Sequence, residues 1–198
     1  MMSAPTPSVP PLLSCRPNLA DGVYAFSYEV ENVGAAELWV MDAVPVTDPA
    51  ARTVSANEQI PVVVWCAEDE AVIGKFPAPL PTDRRVAVPV VPLARRLPPG
   101  ERLQGELRIK APLAETSPYF ADLPLRRYDM VSIKAVVFTI GYWMAGIDNL
   151  VAAPAEHAPG LFVIVTRNTL ASALRVSQRL PSSGLLFFRR SDAFPRML

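Results

Sequence analysis

Fourteen residues from Leu97 to Lys110, LPPGERLQGELRIK, constrain the fold more than any other stretch of the chain. Leu103, Gly105, Leu107 and Ile109 alternate strictly with Arg102, Gln104, Glu106, Arg108 and Lys110. Side chains on a strand point to opposite faces in turn. The segment therefore predicts a half-buried antiparallel strand with one charged face in water. Pro98-Pro99-Gly100 sets a turn before it, because proline presets φ and glycine accepts the positive φ that other residues avoid.

A second strand shows the same period over residues 23–31, with Tyr24, Phe26, Tyr28 and Val30 on one face. Asn32-Val33-Gly34 ends it, and residues 33–37 read as a hairpin connection to a strand over 38–44. Residues 48–58 read as a loop. Residues 60–66, nearly all apolar, suit a strand buried on both faces or lying under a loop, with 72–76 as its returning partner. Pro77, Pro79 and Pro81 enforce an irregular crossing, and 85–91 reads as an edge strand interrupted by Pro89. Residues 130–143 are the candidate central strand, and 161–167 another buried one. Residues 168–180 fit two structures. One is a short helix capped by Asn168 or Thr169 and stopped by Pro181; the other is a strand in which Leu174 and Val176 alternate with Arg175, Ser177 and Arg179. Residues 181–184 then read as a turn into a terminal hairpin.

Eight or nine short strands with frequent turns predict an all-β, antiparallel two-layer sandwich. The expected organisation is a lead-in over 1–11, a sandwich over 12–180, and a C-terminal turn and strand over 181–198 that packs on the sandwich or on a partner. The combination YAFSYEVENVG and LPPGERLQGELRI resembles bacterial immunoglobulin-like modules, in which an Asn-containing turn follows an early strand and a Pro-Gly-Glu turn precedes a later one. That resemblance covers about half the chain and implies a fold without an activity. The Cys-Trp-Cys order of antibody-type domains is missing, since Trp39 follows Cys15 but Cys66 comes too early.

The composition is globular, at 51% hydrophobic and 19% charged. A net charge of +0 argues against a general nucleic-acid binder. The longest apolar run, 135–147, is too short to span a bilayer, and no basic start precedes an apolar leader, so the expectation is a cytoplasmic protein away from membranes. Charge is unevenly spread: residues 21–70 hold ten acids against Arg52 alone, and 161–198 hold six arginines against Asp192. Strands from the two halves that interleave would cancel this; otherwise the acidic side meets a basic partner.

Catalytic patterns are sparse. His157 is the single histidine and no GxSxG accompanies it. One His and two distant Cys do not make a zinc site, and the nine glycines form no phosphate loop, so neither metal nor cofactor is expected. Cys15 and Cys66 suit free buried thiols in a cytoplasmic protein. The expectation is a protein that is not an enzyme.

What remains concerns surfaces. Glu68, Asp69 and Glu70 form an acidic tip after an apolar strand, which is where sandwiches grow binding loops. Leu185, Phe187, Phe188, Arg189 and Arg190 fit a last core strand, or a segment that pairs with another copy or inserts into a partner. The leading expectation is a protein-binding module, such as an inhibitor or immunity protein masking a partner through the acidic tip. A second is an assembly subunit forming a homo-oligomer through sheet edges. A third is a small-molecule or carbohydrate-binding sandwich with Trp39, Trp65 and Trp143 as an aromatic platform, although all three lie in apolar runs that suit a core.

Overall fold

A computed structural model describes residues 9–48, 53–81, 85–120, 124–147 and 149–191. Residues 1–8 of the expected lead-in over 1–11 and the tail 192–198 of the expected C-terminal unit lie outside those residues. The fold is all-β, in two sheets. In chain order the strands are β1 (Leu12–Ala20), β2 (Val23–Glu31), β3 (Leu38–Asp48), β4 (Thr53–Asn57), β5 (Val63–Ala67), β6 (Glu70–Lys75), β7 (Leu93–Leu97), β8 (Arg102–Lys110), β9 (Leu113–Ala114), β10 (Tyr128–Met144), β11 (Val151–Pro154), β12 (Phe162–Val165) and β13 (Leu174–Arg190). A three-stranded antiparallel sheet, β1-β2-β8, packs on a ten-stranded sheet whose main path is β11-β12-β7-β3-β10-β13-β9.

The leading strand is as expected: Leu103 and Leu107 on β8 face the core beside Phe26, Tyr28 and Val30 of β2. The turn motifs that flank these strands meet in space. Asn32, 1% exposed, donates its N–H to Glu101 O (3.0 Å), and its own carbonyl accepts Gly100 N–H (2.7 Å). Its side-chain amide donates to Ala36 O and Leu97 O, tying the small sheet to β7. Residues 33–37 are therefore a crossing between the two sheets and not a hairpin, because β2 and β3 pair with different neighbours.

Several other expectations need correction. Thirteen strands are present among the described residues, not eight or nine, and the large sheet is mixed: β6 runs parallel to β10 and β9 parallel to β13. β4 lies where a loop was expected, and 85–91 holds no strand, the ladder falling instead on β7. Residues 168–172 are turns, and the strand reading holds from Leu174 onward. The expected turn at 181–184 does not reverse the chain. It forms a bulge: Ala135 pairs with Pro181 and Ile133 with Leu185, so a single residue of β10 faces three of β13.

That bulge explains the pattern of both long strands. In β10, Ile133 and then Val136, Phe138, Ile140 and Tyr142 enter one core; in β13, Val176 and Leu180 and then Leu185 and Phe187 do so. The parity of the inward residues switches across the bulge in each strand, as an inserted residue requires. The opposite face of the large sheet is covered too. Trp39, Met41, Phe76, Trp143 and Ile164 form a second core there, which is why residues 60–66 and 130–143 read as almost continuously apolar.

Three of the sheet edges are blunted, those of β1, β11 and β5. On β1, Cys15 N–H donates to Gln178 Oε1, and Pro17, facing the same way two residues on, has no N–H. On β11, Ala155 N–H bonds back to Leu161 O, which turns Ala152 and Pro154 outward, and Pro154 offers no donor. The edge of β5 is bridged by Thr116 and capped at Cys66 N–H by the Glu115 carboxylate (2.9 Å).

Candidate functional site

A dense cluster of titratable groups lies between the sheets. Lys75, the last residue of β6 and 0% exposed, donates through Nζ to the Tyr28 hydroxyl (2.7 Å) and sits 3.3 Å from Asp42 Oδ1. The Tyr28 hydroxyl donates to the same Oδ1 (2.9 Å), and Arg95 Nε donates to Oδ2 (2.8 Å). Arg95 continues outward to Glu58 Oε1 (3.0 Å) near the surface. Local chain geometry makes room for it. Gly105 stands across the ladder from Tyr28, and a Cβ there would run into the ring. Asp42 continues the alternation of Leu38 and Val40 into the core between the sheets, and the register of β3 against β7 shifts just there, between Met41 and Ala43.

Burial lowers the Lys75 pKa below its ordinary value, and burial followed by the Asp42 charge raises that of Tyr28. The arrangement has two positive and two negative charges, each paired, and no solvent path to Lys75 Nζ. It joins the sheets through β2, β3, β6 and β7. Glu115, 3% exposed, behaves alike: its oxygens accept Cys66 N–H and Arg190 N–H (2.7 Å), clamping β5 to β13, while burial raises its pKa. Among the described residues no buried side-chain nitrogen or oxygen lacks a hydrogen-bond partner, and no three potential metal ligands converge.

The acidic tip is brought together by the β5–β6 turn, where Glu68 takes a left-handed φ of 55°. Its charges are largely spent within the chain. Asp69 pairs with Lys134 (2.6 Å), which holds its carboxyl below the usual range, and Glu70 pairs with Arg179 (2.6 Å). The whole acidic half behaves this way. Among its ten acids, Glu29, Glu31, Glu37, Asp42, Glu58, Asp69 and Glu70 all have an Arg or Lys partner in another part of the chain.

The C-terminal block divides between faces. Phe187 is fully buried, Leu185 packs on the same core, and Phe188 stacks edge-on against Tyr128. Arg190 lies buried over the Phe120 ring and Arg189 is half-buried, while Leu186 is 50% exposed. The three tryptophans share the second core as packing residues: Trp143 is 1% exposed and Trp39 8%, and Trp65 stands edge-on to Phe76. Cys15 and Cys66 are free thiols, and burial pushes Cys15 up to about 12. His157 lies in the exposed loop 155–161, 3.9 Å from Glu156.

A feature that the sequence did not single out is an open groove of about 610 Å³ at the β1–β2 turn. Leu19, Tyr24, Ala111, Pro112, Ser182, Leu185 and Leu186 line it. Leu19 is 54% exposed, so both leucines present their side chains to water. The signal was weak because Leu19 looks like any strand residue and Leu186 stands outward only because of the bulge. No family model, curated protein or solved structure matches this chain.

Proposed function

We propose that the protein works without catalysis, by holding an apolar segment of another protein against the groove formed by Leu19, Tyr24, Pro112 and Leu186. The observation that carries this reading is the groove itself, a largely apolar recess with two leucines about half exposed, while seven of the ten acids of residues 21–70 are paired internally. Saturation of the Lys75 and Glu115 clusters supports a role other than an enzyme's. The concrete form is an inhibitor or immunity protein on an immunoglobulin-like scaffold, acting in the cytoplasm without nucleic acid, membrane or cofactor. The contact differs from an acidic-tip contact in its physics. Apolar association persists as salt rises, whereas attraction between exposed charges fades beyond a Debye length. Capture of the partner from lysate of the source organism at rising salt tests it. Retention at about 1 M sodium chloride is expected; release by modest salt would contradict an apolar contact.

The second reading, assembly through sheet edges, has less support, because Pro17, Pro154 and Glu115 occupy positions where another strand would have to pair.

A further inference from the structure

Beyond the groove, one sheet face is apolar, exposed and flanked by opposite charges at its two ends. On β11 and β12, Val151 pairs with Val165 and Ala153 with Val163, which puts these four side chains on one face of the outermost hairpin. Val151 is 61% exposed, Val165 54% and Val163 42%, and Ala153 is exposed as well. The alternate residues Ala152, Phe162 and Ile164 are the ones packed into the second core. The hairpin thus spends its inner face on the fold and leaves a patch of three valines and an alanine in water.

The ends of this face differ in sign. Arg167 follows Val165 at the Val151 end, exposed and with no ion pair among the described residues. Glu156 follows Pro154 at the Ala153 end, its side chain 90% exposed and 3.9 Å from His157, with no Arg or Lys ion pair among the described residues. A two-fold axis lying in the plane of the contact and perpendicular to β11 and β12 lays valines on valines and sets the Glu156 end of each copy against the Arg167 end of the other. A surface that is complementary to itself under a two-fold axis is what an isologous dimer needs. Edge pairing is a poorer alternative, since Pro154 removes an outward donor from β11.

We propose that the β11–β12 face is a homodimer interface, with a second copy of this chain as its occupant and two reciprocal Glu156–Arg167 contacts at its rim. The face is small beside the interfaces of permanent dimers, so the dimer is weak and depends on concentration. It does not use the groove, which stays free for the partner proposed above.

Sedimentation equilibrium of the full chain over a wide concentration range is the test. The expected result is a mass rising with concentration from 21.6 kDa toward twice that value. Glu156→Arg and Arg167→Glu each place like charges at both rim contacts, and each weakens association roughly tenfold. The double variant restores the opposite-charge contacts and returns to within about twofold of the wild type. Val163→Ser with Val165→Ser, both at exposed positions, abolishes association while leaving the far-UV spectrum unchanged. A chain that stays at 21.6 kDa throughout, a dimer indifferent to the valine changes, or single charge variants whose effects add in the double would each overturn the proposal. Partner capture through the groove is a separate readout, so failure of one inference leaves the other decidable.

Discussion

Tyr28 shows how much one hydroxyl carries. Its oxygen accepts from Lys75 and its hydrogen goes to Asp42, so it is the polar link by which β2 reaches the large sheet at this point. Tyr28→Phe keeps the ring against Phe138, 5.3 Å away, and removes only that link. The expected cost is about 1–3 kcal/mol in denaturant unfolding, since Lys75 loses its better partner. Lys75→Met, which leaves the Asp42 charge short of a buried partner, costs more, about 3–5 kcal/mol. Cys15 supplies a pH signature. Its thiol is raised from 9.0 to about 12 in the folded protein, so its contribution is whole below pH 9 and lost as pH rises through about 12. Cys15→Ala should therefore flatten the fall in stability between those values; an unchanged pH profile would remove burial as the cause. None of these roles was legible in the sequence. Lys75 sits beside Gly74 and Phe76 with no periodic signal, and a Lys in an apolar strand gives no hint that Asp42 and Tyr28 await it.

At the scale of elements, strands with a single wet face were readable and those buried on two faces were not. β2 and β8 alternate cleanly because one side faces water, and their inward residues are those expected. β10 and β13 alternate as well, but the bulge shifts the phase halfway, and a four-residue turn signal at 181–184 was the only trace of it. β6 was recognisable as a strand, while its parallel pairing to β10 depends on contacts far along the chain. Gly74 makes that pairing possible, because a Cβ there would run into the Thr139 carbonyl. Gly74→Ala should cost about 3 kcal/mol or more. Gly146→Ala, at φ +83° with open space around it, should cost only about 1 kcal/mol. Thermal unfolding of the two variants side by side separates crowding from backbone preference, and equal losses would contradict the close approach of β6 to β10.

At the scale of the whole molecule, the uneven charge along the sequence is folded away. The acids of residues 21–70 meet arginines and lysines at 75, 95, 96, 102, 134 and 179, because β3, β6, β7, β8, β10 and β13 interleave. The alternative of strands mixing their charges was visible in the sequence, but choosing it required the strand order, which a linear pattern does not contain. The tip at Glu68, Asp69 and Glu70 does lie where β5 turns into β6, and its neutralisation by Lys134 and Arg179 comes from residues 65 and 109 positions away. The groove was illegible for a related reason: its walls come from β1, β2, the segment after β8, and β13.

The most direct measurement is a side-by-side capture of partners from lysate with three forms of the tagged chain. These are the wild type, Leu19→Ser with Leu186→Ser, and the triple alanine variant of Glu68, Asp69 and Glu70. Contact through the apolar groove predicts one partner that the wild type and the triple variant both retain and the leucine variant loses. A partner lost with the acidic tip and kept by the leucine variant would contradict the account.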